Sequence, residues 1–357
     1  MSSDAASDDP QDELAKLDEQ LLAMLNRRCE LSAQLDPEHH LSLAAEQRLE
    51  AEIVARLGAR NAGPVTAETL RAVYREILSG ELAMHRPTRV AYLGPEATYT
   101  HQAVLRKFGH GVVCEARASM MNVFEAVEKG HVEFGVVPIE NSTEGAVTVT
   151  FDLFPDSSVT VVAEVCLPIH NHLLSRIELA DIKRVVSHAQ PLAQCRTWIE
   201  HNLPRVETQA VSSTTAAAEI AAREPHTAAI AGSLAAETYG LPILRENIND
   251  VAGNMTRFLV LGREEAAPTG NDKTSIMFAI QDRVGALYDA LLPFKDNGVN
   301  MTMIQSRPSK RKSWDYHFFV DFTGHASDPQ NAAALKGLGA QCSFLKILGS
   351  YPVAAPI

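Results

Sequence analysis

The stretch "NMTRFLVLG", Asn254 to Gly262, holds a continuous apolar run from Phe258 to Leu261 that is closed by a glycine. A short run of this kind reads as a buried β-strand. Similar runs precede it: "VAYL" (90–93), "FGVVPI" (134–139), "VTVVAEV" (159–165), "RVVSH" (184–188) and "AAIAG" (228–232). Helical patterns lie between them, and this alternation from Arg89 to about Arg263 predicts α/β sheets.

Several runs are followed by a hydroxyl residue and a helical segment. Thr98 and Thr100 stand before "HQAVLRKF", Ser213 and Thr214 before "TAAAEIAA", and Ser233 before "LAAETYG". Such residues cap helices. The helix starts they mark also offer free N–H groups and a positive dipole end to a carboxylate. Several such ends facing one cleft would bind a small polyanion with little net positive charge. The formal charge of −12 makes a local solution of this kind necessary and argues against nucleic acid as a partner.

The flanks differ. Residues 1–11, opening "MSSDAASDDP", have neither a basic n-region nor an apolar h-region, so they read as a disordered acidic leader. Residues 12–87 read as helices. Leu14, Leu17, Leu21, Met24 and Leu31 form one apolar stripe, with Arg28 in the same row. Asp36-Pro37 ends that helix, a second runs from about Ser42 to Leu57, and a third starts at Thr66 after the turn "NAGP". Three thin helices cannot enclose a large core, so pairing of two chains through them is expected.

The α/β segment is set at 88–264 and is followed by a linker, 265–272. Residues 273–357 follow the order β-α-β-β-α-β of a ferredoxin-like unit. No apolar run approaches the roughly 18 residues needed to span a bilayer, so a cytoplasmic protein without membrane contact is expected. The five cysteines, Cys29, Cys114, Cys166, Cys195 and Cys342, are scattered without CxxC spacing and read as free thiols.

The middle segment contains "GPEATYTHQA" (94–103), "GVVPIENSTEGAV" (135–147), "NHLLS" (171–175), "SHAQPLAQC" (187–195) and "NMTRFLVLG" (254–262). In this order and spacing they resemble the prephenate dehydratase family. That resemblance implies two α/β lobes of periplasmic-binding-protein type with a site between them. It also implies that water and carbon dioxide are lost from prephenate to give phenylpyruvate, on the route to phenylalanine. Aromatisation drives this reaction, so the enzyme need only hold a dianion and assist departure of the ring hydroxyl. No metal or organic cofactor is implied, and the 13 histidines show no clear ligand spacing.

By resemblance, Thr256 is the catalytic residue, a positioned hydrogen-bond donor to the leaving oxygen. Arg257 is expected to bind a carboxylate through its planar fork, and Phe258 to pack on the ring. Asn141, Ser142, Ser213 and Thr214, with Thr98 and Thr100, are the other expected substrate contacts. The last segment, with "GALYDALLPF" (285–294) and "NMTMIQSRP" (300–308), resembles an ACT domain that binds L-phenylalanine as feedback effector. The expected effector residues are Gly285, Ala286, Leu287, Asn300, Ser306, Arg307 and Pro308. Gln305 stands where the family has glutamate.

"LDEQLLAMLNRRCEL" (17–31) makes the helical segment similar to an all-helical chorismate mutase domain. That chemistry is electrostatic and conformational, carried out by cationic and hydrogen-bonding side chains around two carboxylates and an ether oxygen. Arg28 keeps a family arginine, but Gln11 replaces another, and His39 falls where a lysine is expected. Leu49 and Glu50 align with an arginine–glutamate pair, and Glu81 and His85 with a serine and a glutamine. Residues 1–87 hold sixteen acids against nine Lys and Arg. The expectation is a mutase fold without useful mutase activity, in a homodimer. The alternatives are an active bifunctional enzyme and a non-catalytic two-lobed ligand sensor.

Overall fold

Asp9 starts the first helix: its carboxylate accepts the Gln11 N–H at 3.1 Å, and Pro10 takes the first helical position, where a missing N–H costs little. The structure, a computed structural model, describes residues 9–35, 43–85, 87–309 and 316–354. Helix α1 (Pro10–Leu35) thus begins inside the expected leader, so that boundary moves back. Helices α2 (Leu43–Gly58) and α3 (Ala67–His85) complete a helical unit. No residue of α1 is buried, and Leu14, Leu17, Leu21, Leu22 and Met24 are all exposed.

The described residues of 89–108 and 112–354 form a second unit. Its first lobe contains β1 (Arg89–Leu93), α4 (Tyr99–Phe108), β2 (Val113–Arg117), α5 (Met120–Glu128) and β3 (Phe134–Asn141). The two-residue β4 (Gly145–Ala146), α6 (Thr148–Leu153) and β5 (Thr160–Pro168) follow. The chain then builds a second lobe from β6 (His172–Leu174), β7 (Arg184–Ser187), α7 (Ala189–Gln194), α8 (Arg196–Asn202) and β8 (Glu207–Ala210). That lobe ends with α9 (Thr214–Arg223), β9 (Thr227–Ala231), α10 (Ser233–Tyr239) and β10 (Ile243–Arg245). Strand β11 (Met255–Gly262) returns to the first lobe and lies between β3 and β5, antiparallel to both. The first sheet has the order β2-β1-β3-β11-β5 and the second β10-β6-β9-β7-β8. Ser233 is not a cap: Gly232 holds the cap position and Ser233 is the first helical residue.

The last domain has β12 (Asp272–Ala279), α11 (Ala286–Asp296), β13 (Met301–Pro308), β14 (Tyr316–Thr323), α12 (Pro329–Gln341) and β15 (Phe344–Pro352). Its antiparallel sheet has the order β13-β14-β12-β15. Two helices cover one face, around Phe278, Phe294, Phe322 and Leu338. The other face joins the core of the first lobe: Met277, Phe319, Leu348 and Tyr351 belong to one buried cluster with Phe151, Phe154, Val161 and Leu259. Phe151 and Phe319 meet edge to face, with centroids 4.8 Å apart. Gly349 lies so close to the Val161 carbonyl that a Cβ there has no room. The segment expected as a linker joins two domains that share a core.

Candidate active site

Two chain crossings join the lobes, at residues 169–171 and 246–254, and a cavity of about 220 Å³ opens beside them. Three helix starts line it, contributing Thr98, Tyr99 and Thr100 of α4, His188 and Gln190 of α7, and Ser212, Ser213 and Thr214 of α9. Ser213 caps α9, its hydroxyl accepting the Ala216 N–H at 2.9 Å. Thr98 accepts the His101 N–H at 3.4 Å. None of the lining residues is lysine or arginine. Attraction for an anion comes from helix N–H groups, hydroxyls, carboxamides and one imidazole.

From the first-lobe side, Asn141 at the end of β3, Asn254 just ahead of β11 and Thr256 on β11 enter the same cavity. The Asn141 amide donates to Thr256 Oγ1 at 2.8 Å and to Asn254 Oδ1 at 2.8 Å. Its own oxygen accepts from Thr143 N at 3.0 Å, Thr143 Oγ1 at 2.7 Å and Glu144 N at 3.1 Å, so the carboxamide cannot rotate. Thr256 therefore acts as acceptor toward Asn141. Among the described residues no protein atom accepts its hydroxyl hydrogen, which is left for a ligand.

Gln194, at the end of α7, ties the second lobe to this group. Its Oε1 accepts from Asn254 Nδ2 at 3.2 Å and Asn171 Nδ2 at 3.3 Å, and its Nε2 donates to Thr143 Oγ1 at 3.3 Å. The Tyr99 hydroxyl lies 2.8 Å from Asn171 Oδ1 and 2.9 Å from the His170 carbonyl. Burial raises its pKa and keeps it a donor. Gly232 faces the Tyr99 ring, where a Cβ would come within 3.0 Å.

The structure brings Thr98, Thr100, Asn141, Ser213, Thr214 and Thr256 together. Three other expected substrate contacts are engaged elsewhere. The Ser142 hydroxyl accepts the Met255 N–H at 2.9 Å and does not line the cavity. Phe258 is 2% exposed within the first-lobe sheet, past a register shift after Arg257, and cannot stack on a ligand. Arg257 points away from the cleft: Nε donates to Glu164 at 2.7 Å, Nη1 pairs with Asp321 at 2.6 Å, and Nη2 donates to Tyr351 at 2.9 Å. A strand turns successive side chains to opposite faces, so Thr256 and Arg257 serve different surfaces.

Tyr99, His188, Gln194 and Asn254 were not among the expected contacts. Asn254 was within reach of sequence reasoning, because it lies two residues before Thr256. Tyr99 and His188 depend on where helix starts meet between the lobes, and Gln194 on where the end of α7 falls.

In the last domain, a cavity of about 550 Å³ is lined by Ile280 to Arg283, Gly285 to Tyr288, Tyr316 and Phe318. Gly285, Ala286 and Leu287 of the expected effector residues line it; Asn300, Ser306, Arg307 and Pro308 do not. Arg307 is instead held by Asp152 of the first lobe through two bonds of 3.0 Å. The other three lie on or beside β13, an edge strand.

In the helical unit, Arg28 forms an ion pair with Glu81, whose side chain is 7% exposed, and lies 6.0 Å from the Tyr74 ring centroid. Gln11 is on α1, Glu50 on α2, and His85 ends α3; His39 falls outside the described residues. Among the described residues no cluster of His, Cys, Asp or Glu could hold a metal ion, and no helix is long and apolar enough to cross a membrane.

The chain thus carries a two-lobed α/β domain with a polar cleft between its lobes and a docked βαββαβ domain, the build of a dehydratase with an attached ACT domain. Family comparison agrees, matching residues 90–266 to prephenate dehydratase, 274–340 to the ACT domain and 11–86 to chorismate mutase type II. The bifunctional chorismate mutase/prephenate dehydratase of Aquifex aeolicus is 43% identical over 350 residues, 96% of each chain. A prephenate dehydratase from Arthrobacter aurescens solved in complex with L-Phe is 35% identical, with a TM-score of 0.70 over 75% of this chain and 90% of that one. A solved protein described as a novel type of quorum-quenching acylase is 30% identical, with a TM-score of 0.69 over 75% of this chain and 98% of that one. The chain belongs to the bifunctional chorismate mutase/prephenate dehydratase family, and it is an enzyme with the dehydratase activity of that family.

Proposed function

We propose that the cleft dehydrates prephenate through the Thr256 hydroxyl, with the helix starts at Thr98–Thr100 and Ser213–Thr214 holding the two carboxylates. The observation that carries this reading is the 2.8 Å bond from Asn141 to Thr256 Oγ1, which leaves the hydroxyl hydrogen for the departing oxygen. The ring carboxylate leaves as carbon dioxide and its bonding electrons enter the ring. The ring hydroxyl leaves with one proton as water, and phenylpyruvate remains. Thr256 stabilises the charge building on that oxygen, and the His188 imidazole, lining the same cavity, can carry the proton. Ultraviolet detection of phenylpyruvate from prephenate tests the assignment. Loss of product in Thr256→Ala supports it, and full activity of that variant sinks it.

The cavity at Gly285–Tyr288 is read as the phenylalanine site of a feedback-regulated enzyme, supported by the related structure named for its L-Phe complex. The helical unit is read as a mutase scaffold without useful mutase activity. Its support is Glu81, which already neutralises the one retained arginine, Arg28. The unburied apolar face of α1 supports a homodimer formed through this unit, in the cytoplasm. An active mutase is the alternative, and the relative's printed name favours it. Chorismate consumption by the full chain decides between them: background rates support the scaffold reading, and turnover abolished by Arg28→Ala overturns it.

A further inference from the structure

Arg257 is the residue next to Thr256, yet two of its three partners belong to the ACT domain. Asp321 lies on β14 and Tyr351 on β15; only Glu164 belongs to the lobe that carries Arg257. The side chains of Glu164 and Asp321 are 1% and 2% exposed. Lys273 of β12 closes the group on Glu164 at 2.9 and 3.0 Å. Ser275 joins Asp321 and Tyr351, lying 2.5 Å from each. Two cations and two carboxylates balance, with each guanidinium edge assigned to a different strand. Arg257 is held on a geometry set largely by the ACT sheet.

Strand β14 also reaches the other cavity of that domain. Tyr316 and Phe318 line the cavity beside Gly285–Tyr288, and Asp321 follows Phe318 by three residues on the same strand. At a strand rise of about 3.3 Å per residue, Phe318 and Asp321 are roughly 10 Å apart along the backbone of β14, and their side chains lie on opposite faces of it. Tyr316 and Phe318 at the cavity and Asp321 on Arg257 thus share one strand, and Arg257 is the residue beside Thr256.

We propose that Arg257 is a positioning residue for Thr256, through which β14 of the ACT domain sets the catalytic hydroxyl. This rests on the reading of the Gly285–Tyr288 cavity as a phenylalanine site. Coupling between sites amounts to a factor of about 5 to 150 in typical cases, so removing the charge at Asp321 has a measurable effect.

The experiment compares the full-length wild type with Asp321→Asn, Ser275→Ala and Arg257→Lys. It measures kcat and KM for prephenate, inhibition by L-phenylalanine, and L-phenylalanine binding by calorimetry. Asp321→Asn is expected to lower kcat at least about fivefold with KM nearly unchanged. The phenylalanine concentration for half inhibition should rise by about tenfold or more, while phenylalanine still binds. Ser275→Ala, which loosens Asp321 without altering a charge, gives the same pattern in weaker form, and carries the test if Asp321→Asn does not fold. Arg257→Lys keeps the charge but not the three-way fork, and falls between wild type and Asp321→Asn. Wild-type kcat and inhibition in Asp321→Asn or Ser275→Ala would overturn the proposal, as would equal losses in kcat and binding that only track a fall in melting temperature. If wild type binds no phenylalanine, the effector reading fails alone, and the kcat of the variants still decides the positioning role.

Discussion

Asn254 on the first lobe donates to Gln194 on the second at 3.2 Å, and the same Gln194 oxygen accepts from Asn171 at a chain crossing. One carboxamide thereby holds both lobes and the asparagine that flanks Thr256. Gln194 and Asn254 both line the cavity between the lobes.

Gln194→Ala removes bonds worth about 0.5–1.5 kcal/mol each. KM for prephenate is expected to rise by about 5- to 20-fold, with a smaller loss in kcat. Steady-state kinetics separate the two, and a loss confined to kcat would contradict the latch.

Thr256→Val keeps the branched shape and removes the hydroxyl. Loss of one preorganised donor costs about 10²–10³ in kcat. Thr256→Ser retains the donor and should recover most of the rate. Asn141→Ala frees the hydroxyl to rotate and should also lower kcat, although the group itself remains.

Glu164 makes the domain interface acid-sensitive. Burial alone would raise its carboxyl, but Arg257, Lys273 and the Ala354 N–H hold it below the ordinary glutamate value of 4.5. A depressed carboxyl contributes stability that is present above the unfolded-state pKa and is lost as pH falls through the folded one. The melting temperature should therefore hold from pH 7 toward 4.5 and fall below it. Glu164→Gln, which leaves Arg257 and Lys273 with Asp321 as the one remaining carboxylate of the group, costs about 3–5 kcal/mol at pH 7. Its deficit should shrink in acid, and a deficit independent of pH would show that the charge is not the cause.

The apolar face of α1 predicts the assembly. Leu17→Lys with Leu21→Lys places two charges on a stripe that is 47% and 57% exposed at these positions. Sedimentation should give a dimer for wild type and a monomer for the double variant. A wild-type monomer would remove the pairing argument.

Much of the architecture was legible because the central strands are buried runs, such as β9, buried at every position. Strands β2 and β8 were missed for the converse reason: they lie at sheet edges, and every residue of β8 is exposed. Local pattern carries no signal for an edge strand of that kind.

The cleft was legible where caps define it, at Thr98 and Ser213, because helix starts follow local rules. Arg257 was misread for a different reason. A planar fork suits a substrate carboxylate and a protein carboxylate equally well, and its partners lie 64 to 94 residues away in the chain. Period-2 alternation could have excluded it, since the residue beside Thr256 must face the other side of the strand.

Strand β11 lies inside the first sheet, between β3 and β5, but is reached only after the second lobe is complete. The second-lobe strands β6 to β10 are contiguous in the chain, so that sheet can close as it leaves the ribosome. The first lobe waits with a gap between β3 and β5 until residue 262 has emerged. Domains generally fold as units, N-terminal first during synthesis, but here the first lobe lacks β11 until the second is made, so the later lobe can mature first. Thr256 arrives on the strand that closes that gap, after every other strand of the two lobes has been made.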